Sequence, residues 1–384
     1  MEYALVKACI DLDAVSNNIQ ALKDIMDKKS KFMAVVKADA YGHGAVKIAQ
    51  KALQSGADNL GVARLDEAVR LRQADITAPL LVFGYIYPAQ AALVNELDLT
   101  ATVYNYDMVR ALSKKACDLG IVLKIHLKID SGMGRVGLII NNLKVKRKKI
   151  VHDIKKIVGL PGIEIEGIYT HFAAADHRDR SYTSLQLKMF DSLLNDLKKE
   201  NVEFKICHAA NSAGILEYPE SHYDMVRAGI SLYGLYPSNE VDKSRVNLIP
   251  AMTLKSIITS VRKVPPGFKV SYGMTHETQK ETVLASVPIG YADGFSRLFS
   301  SNGHMLVRGE KAPIVGRVCM DQTIIDVGQI PDVRVEDEVV IIGRQANKTI
   351  SADELAQNIN TINYEIVSSL TPRVKREYDW IQTT

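Results

Sequence analysis

A lysine directly follows an apolar segment near the start of the chain. In the stretch VVKADAYGHG (35–44), Lys37 comes after the apolar run FMAVV (32–36), and a tyrosine and two glycines follow it closely. Lysine is costly to bury, so a lysine at the end of a core strand needs a partner or a chemical task. One such task is nucleophilic, because the amine of a lysine can form a Schiff base with an aldehyde cofactor.

Eight short apolar segments in the first part of the chain predict β-strands. They cover residues 32–36, 60–63, 79–84, 99–104, 122–129, 163–172, 204–209 and 223–229. Longer amphipathic stretches between them predict helices, and this alternation is typical of parallel βα units. Eight units over roughly 200 residues predict a closed (β/α)8 barrel. An open doubly wound sheet is the alternative, but no GxGxxG pattern follows the first strand to favour it.

The pattern changes after about Arg245, where short strands bounded by proline and glycine turns follow one another. The expected divisions are a barrel over 12–242, a β-rich domain over 243–384, and a strand from residues 1–11 that joins the β-rich domain. One helix is expected over 351–370, with Ser351 as its N-cap and Glu354 completing a capping box. The fold class is therefore α/β, an N-terminal (β/α)8 barrel with a C-terminal β-rich domain.

Residues with a polar side chain or an accessible backbone N–H follow the predicted barrel strands at the point where each strand ends. They are Lys37 and Tyr41 after the first strand, Asp130, Ser131 and Arg135 after the fifth, His171 after the sixth, His208, Asn211 and Ser212 after the seventh, and Arg227, Gly229 and Ile230 after the eighth. These strand ends share one rim of a barrel, where catalytic groups collect, and the loops after strands seven and eight commonly bind a phosphate group. An amine and a phosphate site on one rim indicate pyridoxal 5′-phosphate as cofactor.

Several motifs together resemble one family. VVKADAYGHG, HLKIDSGMGRVG, THFAAAD, AANSAG, VRAGISLYG, VSYG, IGYADG and GRVCMDQ are similar to the motifs of alanine racemase and occur in the family order between Lys37 and Tyr364. As a set they are specific, although each alone is a weak signal. The resemblance implies a pyridoxal phosphate enzyme that interconverts L- and D-alanine for peptidoglycan. It also implies a head-to-tail homodimer with active sites at the interface.

The resemblance assigns two bases. Lys37 matches the lysine that holds the cofactor and acts as one base, and Tyr272, in VSYG, matches a second base that comes from the partner subunit. Racemisation removes a proton from one face of the substrate and returns one to the other, which two opposed bases do directly. A tyrosine has an ordinary pKa near ~10 and needs help to act as a base at neutral pH. His171 and Arg227 match residues that link to it.

The resemblance also implies a set of cofactor contacts. The expected cofactor-binding residues are Lys37, Tyr41, His171, Asn211, Ser212, Arg227, Gly229, Ile230 and Tyr364. Arg227 matches the partner of the pyridine nitrogen, with His208 behind it, and an arginine that keeps its proton leaves this nitrogen unprotonated. Ser212 is alternatively a helix N-cap. An outer layer that narrows access is expected from Asp176, Tyr291, Arg297, Arg317 and Ile362.

Arg135 and the backbone of Met320 match groups near the substrate carboxylate and the cofactor oxygen. Cys319 and Asp321 flank Met320 and are expected to have supporting roles at most. In part of the family the lysine that matches Lys128 is carbamylated and fixes the arginine. The alternative is an unmodified Lys128 paired with a nearby acid such as Asp130.

The composition favours some partners and compartments over others. The net charge is +4 with scattered Lys and Arg, and the one dense run, Lys144 to Lys149, is typical of a solvated helix face, so no nucleic acid is expected. No signal peptide and no membrane span are expected from the apolar pattern. The four cysteines are far apart, which favours reduced thiols in the cytoplasm. No histidine spacing is typical of zinc, so no metal is expected.

Three other interpretations stay open at this point. A racemase of the same fold with broader specificity, for serine or other small amino acids, is the first, although such relatives often carry a signal and a disulfide. A decarboxylase of the related barrel-plus-β class is the second, but its glycine-rich phosphate loop and late cysteine motif are not seen. A non-catalytic cofactor-binding barrel is the third, and such proteins lack the second domain.

Overall fold

The computed structural model describes residues 4–140 and 144–378, without the side chains of residues 144–147. The chain divides into two compact units. The described residues of Asp13–Ala40 and Ala45–Pro250 form the first unit, and those of Met1–Leu12, Tyr41–Gly44 and Ala251–Thr384 form the second. No helix among the described residues is long and apolar enough to cross a membrane.

Eight parallel strands form the barrel of the first unit, and a ninth short strand, Leu138–Ile139, pairs in parallel with the fifth of them. The eight barrel strands are β1 (Lys31–Val35), β2 (Asn59–Val62), β3 (Leu80–Val82), β4 (Leu99–Val103), β5 (Leu123–Asp130), β6 (Ile163–Tyr169), β7 (Ile206–His208) and β8 (Met225–Ala228). Each strand pairs with the next from β1 to β7, and β8 pairs with β1. Between β7 and β8, the N–H groups of Asp224 and Arg227 donate to the carbonyl oxygens of Cys207 and Ala210. The sheet is therefore nearly closed, and the predicted barrel is confirmed.

Helices follow the barrel strands. Their bounds are Ala45–Gln54, Leu65–Gln73, Ala91–Glu96, Tyr106–Leu119, Lys144–Val158, Ser181–Lys199 and Ser212–Glu217, and the helix Leu12–Ile25 precedes β1. Local chemistry fixes some of these ends. The side chain of Asn105 accepts the N–H of Met108 at 2.8 Å and begins one helix, and Gly120, with φ 65°, ends it. Lys148 and Lys149 are exposed, as expected for a solvated face, while the rest of the basic run, residues 144–147, lies outside the described side chains.

The barrel interior is tightly packed at Gly167 in β6. A Cβ atom there would lie 2.7 Å from Cε1 of His126 and 2.7 Å from the carbonyl oxygen of Ile206. The carbonyl belongs to the paired strand and cannot move without disturbing the sheet. We therefore expect Gly167→Ala to lower the free energy of unfolding by about 1–3 kcal/mol, seen as a lower Tm in calorimetry. Gly159→Ala is the matched control, because its Cβ would meet its nearest atoms only at 3.7 Å. Equal Tm values for the two variants would contradict this reading.

Antiparallel sheets build the second unit. The main sheet runs in the order Glu310–Pro313, His304–Val307, Glu338–Gln345, Met252–Ile257, Lys7–Ile10 and Lys375–Glu377, and Lys348–Ile350 also pairs with Glu338–Gln345. A second sheet joins Ser260–Val264, Thr282–Val287 and Thr323–Asp326, and a small hairpin joins Lys269–Val270 and His276–Glu277. The N-terminal strand Lys7–Ile10 pairs antiparallel with Met252–Ile257 and parallel with Lys375–Glu377. A separate antiparallel domain therefore accompanies the barrel, as the fold class predicted.

The prediction of one helix over 351–370 is wrong, because two helices, Ala352–Asn358 and Asn363–Ser368, occupy this stretch. Ser351 begins the first helix as predicted, and its Oγ accepts the N–H of Glu354 at 3.0 Å. The break lies at Asn360, which has φ 55°. Asparagine tolerates this left-handed conformation better than most residues, so the chain turns there without glycine or proline.

Candidate active site

Lys37 lies at the end of β1, and an unusual turn follows it. Ala38, Asp39, Ala40 and Tyr41 have φ values of 52–54°, a left-handed conformation that costs an L-residue roughly 1–2 kcal/mol. Hydrogen bonds hold this turn: the N–H of Ala40 donates to the carbonyl oxygen of Val36, and Oδ1 of Asp39 accepts the N–H of Ala45, both at 2.9 Å. Strained backbone of this kind persists mainly at functional sites, where the surroundings enforce it.

The amine of Lys37 is partly buried. Burial lowers the pKa of Lys37, the charge of Arg135 lowers it further, and the carboxylate of Glu67 opposes both. A lowered pKa increases the fraction of neutral amine, which is the form that attacks an aldehyde. Lys37 therefore has the protonation behaviour of a nucleophile and base rather than that of an ordinary surface lysine.

Arg227, near the end of β8, is the centre of a buried group of polar side chains, and only 3% of it is exposed. Its Nη1 donates to Nδ1 of His208 at 2.8 Å, and its Nη2 lies 3.1 Å from Nδ1 of His171. Nη2 also donates to the carbonyl oxygens of Thr170 and Ala209, both at 2.8 Å. A guanidinium only donates hydrogen bonds, so each histidine accepts at Nδ1 and, when neutral, carries its proton on Nε2. Because Nη2 has two hydrogens for three acceptors, His171 accepts a hydrogen that is shared with a carbonyl oxygen.

The histidines beside Arg227 are neutral near pH 7. Burial, and then the charge of Arg227, hold the pKa values of His171 and His208 well below the usual range. Burial also lowers the pKa of Arg227, but only to about 10, so the guanidinium keeps its charge. Among the described residues no carboxylate pairs with Arg227, and none of their hydrogen bonds uses its Nε. This N–H is therefore a donor that can serve a ligand.

His126 continues this group beneath His208. Its Nδ1 lies 2.9 Å from Nε2 of His208, and because that Nε2 carries the proton, His208 donates and His126 accepts. The ring of Tyr169 stacks on His208 with 4.6 Å between ring centroids. Burial, and then Arg227, lower the pKa of His126 to about 3. His126 was not predicted to belong to the site, although its position two residues before Lys128 on β5 places both on one face of the strand.

Lys128 is buried beside this group and not paired with Asp130. Burial lowers the pKa of Lys128 to about 7, and the charges of Arg227 and Arg135 act in the same direction. Its Nζ lies 4.5 Å from the centroid of the Tyr169 ring. The carboxylate of Asp130 instead accepts backbone N–H groups, those of Gly132, Gly134 and Arg135 at 2.9, 3.1 and 3.2 Å. Within the described contacts, the alternative of a Lys128–Asp130 ion pair is not found.

We expect Lys128 to bind CO₂ as a carbamate, because a neutral amine next to two arginines gains from becoming an anion. Only the neutral amine reacts, so the adduct forms above a pH of about 7, where Lys128 loses its proton, and declines below it. Native mass spectrometry in bicarbonate buffer is expected to show the mass of one added CO₂, absent in Lys128→Met. Lys124→Met is the matched control, since Lys124 lies on the same strand but pairs with Asp98 at 2.6 Å. An adduct that survives in Lys128→Met would contradict the assignment.

The loops after β7 and β8 form a cluster of donors. Oγ of Ser212 accepts the N–H groups of Gly229 at 2.9 Å and Ser231 at 3.2 Å, so its own hydroxyl hydrogen points elsewhere. Oγ of Ser231 is buried without a hydrogen-bond partner among the described residues. Ile230 is the first residue of a 3-10 turn, and its backbone N–H donates to no acceptor in the described hydrogen bonds. Hydroxyl and backbone donors without acceptors fit a phosphate group.

Asn211 follows β7, as expected, and also begins the next helix. It is the N-cap of the helix Ser212–Glu217, and its Oδ1 accepts the N–H of Gly214 at 2.9 Å. The alternative that Ser212 caps this helix is therefore wrong, because the cap is one residue earlier. Ser231, by contrast, was missed by the sequence analysis, and its place in VRAGISLYG directly after Ile230 was the available signal.

Tyr272 lies in the second unit on a turn that exposes it. The residue is 73% exposed and begins the short turn Tyr272–Met274 after the strand Lys269–Val270. Ser271, just before it, has φ 61°, and its Oγ donates to the carbonyl oxygen of Arg317 at 2.7 Å. The side chain of Tyr272 is thus held out from the unit by a strained and hydrogen-bonded backbone.

The second unit also holds Tyr41 of the first motif and the predicted residues of the later motifs. Tyr41 and Tyr364 lie with ring centroids 6.1 Å apart, and burial raises the pKa of Tyr41. The carbonyl oxygens of Cys319 and Met320 accept the N–H groups of Tyr291 and Ala292 at 3.1 and 3.0 Å, which joins two motifs. Asp321 forms an ion pair with Arg373 at 2.8 Å.

The five residues expected to narrow access fall in both units. Asp176 lies in the barrel unit, where its carbonyl oxygen accepts the hydroxyl of Ser238 at 2.7 Å. Those in the second unit are Tyr291, Arg297, Arg317 and Ile362, of which Arg317 is half-buried and the others exposed. In the described part of the chain, no cluster of three or more His, Cys, Asp and Glu could hold a metal ion.

The barrel rim fits pyridoxal 5′-phosphate. Lys37 supplies a partly buried amine, Arg227 a donor for the ring nitrogen, and the loops after β7 and β8 a phosphate site. A buried hydroxyl without a partner, Ser231 Oγ, is costly unless a ligand satisfies it. The amine, the ring donor and the phosphate donors therefore match the aldehyde, the nitrogen and the phosphate of one cofactor.

Comparison with known proteins agrees with this chemistry. The model of the alanine racemase N-terminal domain matches residues 10–237, and that of the C-terminal domain matches residues 251–378. An alanine racemase from Methanococcus maripaludis is 48% identical over 96% of this chain and 97% of its own length. The crystal structure of an alanine racemase from Bacillus anthracis with bound L-Ala-P has a TM-score of 0.91 at 40% identity, over 98% of this chain and 96% of that one.

A relative that is named for another amino acid shares the same architecture. A histidine racemase from Leuconostoc mesenteroides has a TM-score of 0.88 at 29% identity, over 98% of this chain and 99% of that one. The fold is thus common to racemases that differ in name. Both domain models match in order along nearly the whole sequence, and the resemblance noted from the motifs is confirmed: this chain belongs to the alanine racemase family.

Proposed function

We propose that the protein is a pyridoxal phosphate-dependent racemase that interconverts L- and D-alanine with two opposed bases, Lys37 and Tyr272 of the partner subunit. The observation that carries this proposal is the rim itself. Lys37, with a lowered pKa, stands on a strained turn in the same barrel as the buried Arg227 and its two neutral histidines. The relatives from Methanococcus maripaludis and Bacillus anthracis are both named alanine racemase, which points to the same substrate.

The side chains on the rim have distinct tasks in this reaction. Bound pyridoxal phosphate withdraws electrons from the α-carbon of alanine and so acidifies its α-proton. Lys37 would hold the cofactor through its amine and move a proton on one face. Arg227, which keeps its proton with a pKa of about 10, would offer Nε–H to the ring nitrogen and give up no proton to it. This contact would leave the ring unprotonated and so disfavour side reactions such as transamination.

The substrate carboxylate needs a cationic partner. Arg135 is exposed on the loop after β5, and its own N–H is fixed by Asp130. Its planar guanidinium offers paired donors to a carboxylate. A carbamate on Lys128, together with the backbone of Met320, would complete the set that orients alanine.

We propose a head-to-tail homodimer, in which the second unit of one subunit brings Tyr272 to the barrel of the other. The side chains of the second unit that are more than half exposed include Tyr272, Met274 and Met320. Exposed apolar and aromatic groups of this kind mark surfaces that other chains cover. His171 would then offer Nε2–H to the tyrosine oxygen and stabilise its charged form, which a base needs.

We further propose that the reaction takes place in the cytoplasm and supplies D-alanine for peptidoglycan. All four cysteines, Cys9, Cys117, Cys207 and Cys319, are free thiols, as is usual in a reducing compartment. A broader-specificity racemase is the second candidate. The histidine racemase that shares this fold favours keeping it, because fold alone does not fix the substrate.

The test is incubation of the cofactor-loaded protein with L-alanine in D₂O, with chirality and α-deuterium measured together. D-alanine that carries α-deuterium is the expected result. Exchange with retained L configuration would mean that Lys37 works but that Tyr272 is not the opposite base. No exchange with alanine, but exchange with serine or another amino acid, would favour the second candidate. A protein that binds the cofactor and exchanges no amino acid would be a carrier.

A further inference from the structure

A carboxylate from the helix after the next strand reaches the turn that follows Lys37. Glu67 is the third residue of the helix Leu65–Gln73, which follows β2. Its Oε1 accepts the N–H of Ala38 at 2.6 Å. Its Oε2 accepts the N–H groups of Ala63 and Arg64 at 2.7 and 3.1 Å. One side chain therefore ties the start of its own helix to the residue directly after Lys37.

The hydrogen bond from Ala38 to Glu67 lies where the backbone conformation is strained. Ala38 is the first of four successive residues with left-handed φ, and none of the four is glycine. Left-handed φ is unfavourable at each such residue, so contacts must hold the turn in place. A hydrogen bond to a charged acceptor is stronger than one to a neutral acceptor, so the carboxylate of Glu67 can offset part of this strain. The carboxylate also lies close enough to Lys37 to oppose the loss of its proton.

We propose that Glu67 is a positioning residue for Lys37: its carboxylate holds the left-handed turn at Ala38 and so directs the lysine amine toward the cofactor and the substrate. This inference rests on the proposed racemase function for its kinetic part. Its structural part, the fixing of the turn, stands on the hydrogen bonds alone.

A plain helix-capping role is the alternative. Glu67 accepts the N–H of Arg64, the residue before the helix, and such contacts stabilise helix ends. A cap alone predicts lower stability with an unchanged turnover of the folded enzyme. Positioning predicts a lower kcat, a shifted pH midpoint in the visible absorbance of the Lys37-bound cofactor, and little change in KM. The two roles can thus be separated by measurement.

The experiment compares Glu67→Gln with Asp66→Asn in the cofactor-loaded enzyme. Glutamine keeps the shape but presents an NH₂ group to backbone donors, so one of the two ties is lost. Asp66→Asn removes the same charge from the adjacent residue, whose carboxylate pairs with Arg64 at 3.2 Å and has no described contact with the turn. Hydrogen–deuterium exchange of the peptide 36–44 reports the turn, and kcat, KM and the absorbance titration report Lys37.

Glu67→Gln is expected to speed exchange in peptide 36–44 and to lower kcat by about tenfold or more, because small misplacements of a reacting group are costly. Asp66→Asn is expected to match the wild type. Unchanged exchange, or faster exchange with the kcat and absorbance of the control, would overturn the proposal. If Glu67→Gln does not fold, Glu67→Asp decides, since its shorter chain keeps the charge but cannot span both ties. A folded Glu67→Asp with wild-type kcat would overturn it too. The exchange measurement needs no activity, and the wild type tests racemisation separately.

Discussion

Lys37→Ala is expected to lower racemisation by about 10⁴-fold or more, because one substitution removes both the covalent anchor of the cofactor and one of two bases. Nothing else on the described rim replaces it. Lys128 is the other buried lysine there, but it lies on β5 against Tyr169. The measurement is chiral chromatography of alanine after incubation, together with the visible absorbance of the bound cofactor, which is expected to change to that of the free aldehyde.

Lys31→Ala is the matched control for this substitution. Lys31 begins the same strand that Lys37 follows, and its side chain is exposed. The same residue type is thus removed from the opposite end of β1. A Lys37→Ala enzyme that retains racemisation near the level of Lys31→Ala would refute the assignment of the nucleophile.

Tyr272→Phe is expected to have the second largest effect, a loss of racemisation by about 10²–10⁴-fold. The substitution removes one oxygen from a side chain that is 73% exposed, so the stability of the unit is expected to stay unchanged. Lys37 is retained, so exchange of the α-hydrogen in D₂O is expected to persist for one enantiomer without inversion. Tyr87→Phe, at an exposed tyrosine of the barrel unit, is the control. Equal rates for both variants would remove Tyr272 from the mechanism.

Mixed dimers test whether Tyr272 acts across the interface. If each site combines Lys37 of one subunit with Tyr272 of the partner subunit, a dimer of one Lys37→Ala and one Tyr272→Phe chain contains one intact site and one site that lacks both groups. Mixing two nearly inactive homodimers under exchange conditions would then restore activity. If both residues act within one subunit, each mixed site lacks one base, and no activity returns.

The regular elements were predictable from sequence because their periodicity is local. The eight barrel strands and the helices between them follow from runs of apolar residues and from 3.6-residue patterns. The break at Asn360 was not predictable in this way, since the apolar pattern continues through it and no glycine or proline marks it. Asn360 alone separates the two helices by adopting left-handed φ, and a single asparagine is a weak signal in a sequence pattern.

In the site, too, residues in local motifs were predictable, whereas a residue that acts through a contact distant in sequence was not. Lys37, Arg227 and His171 stand at strand ends, and the order of the motifs brings them to one rim. Glu67 has no such signal, because in sequence it is an ordinary acid in the first turn of a helix. Its contact with Ala38 exists only because β1 and β2 are neighbours in the sheet. Its proposed role depends on the left-handed conformation of Ala38, which the residue type alanine does not predict.

The three histidines around Arg227 have a further consequence for how the enzyme responds to acidity. Histidine is usually the side chain that senses changes between pH 5 and 8. Here burial and a fixed cation lower the pKa values of all three, so the histidines are uncharged near neutral pH while the arginine stays charged. The charges of these groups in the barrel interior therefore stay constant when the pH of the solution changes near neutrality. Variation of the rate with pH near neutrality then reports the groups that exchange protons with the substrate or bind CO₂, and not the histidines that would ordinarily be suspected.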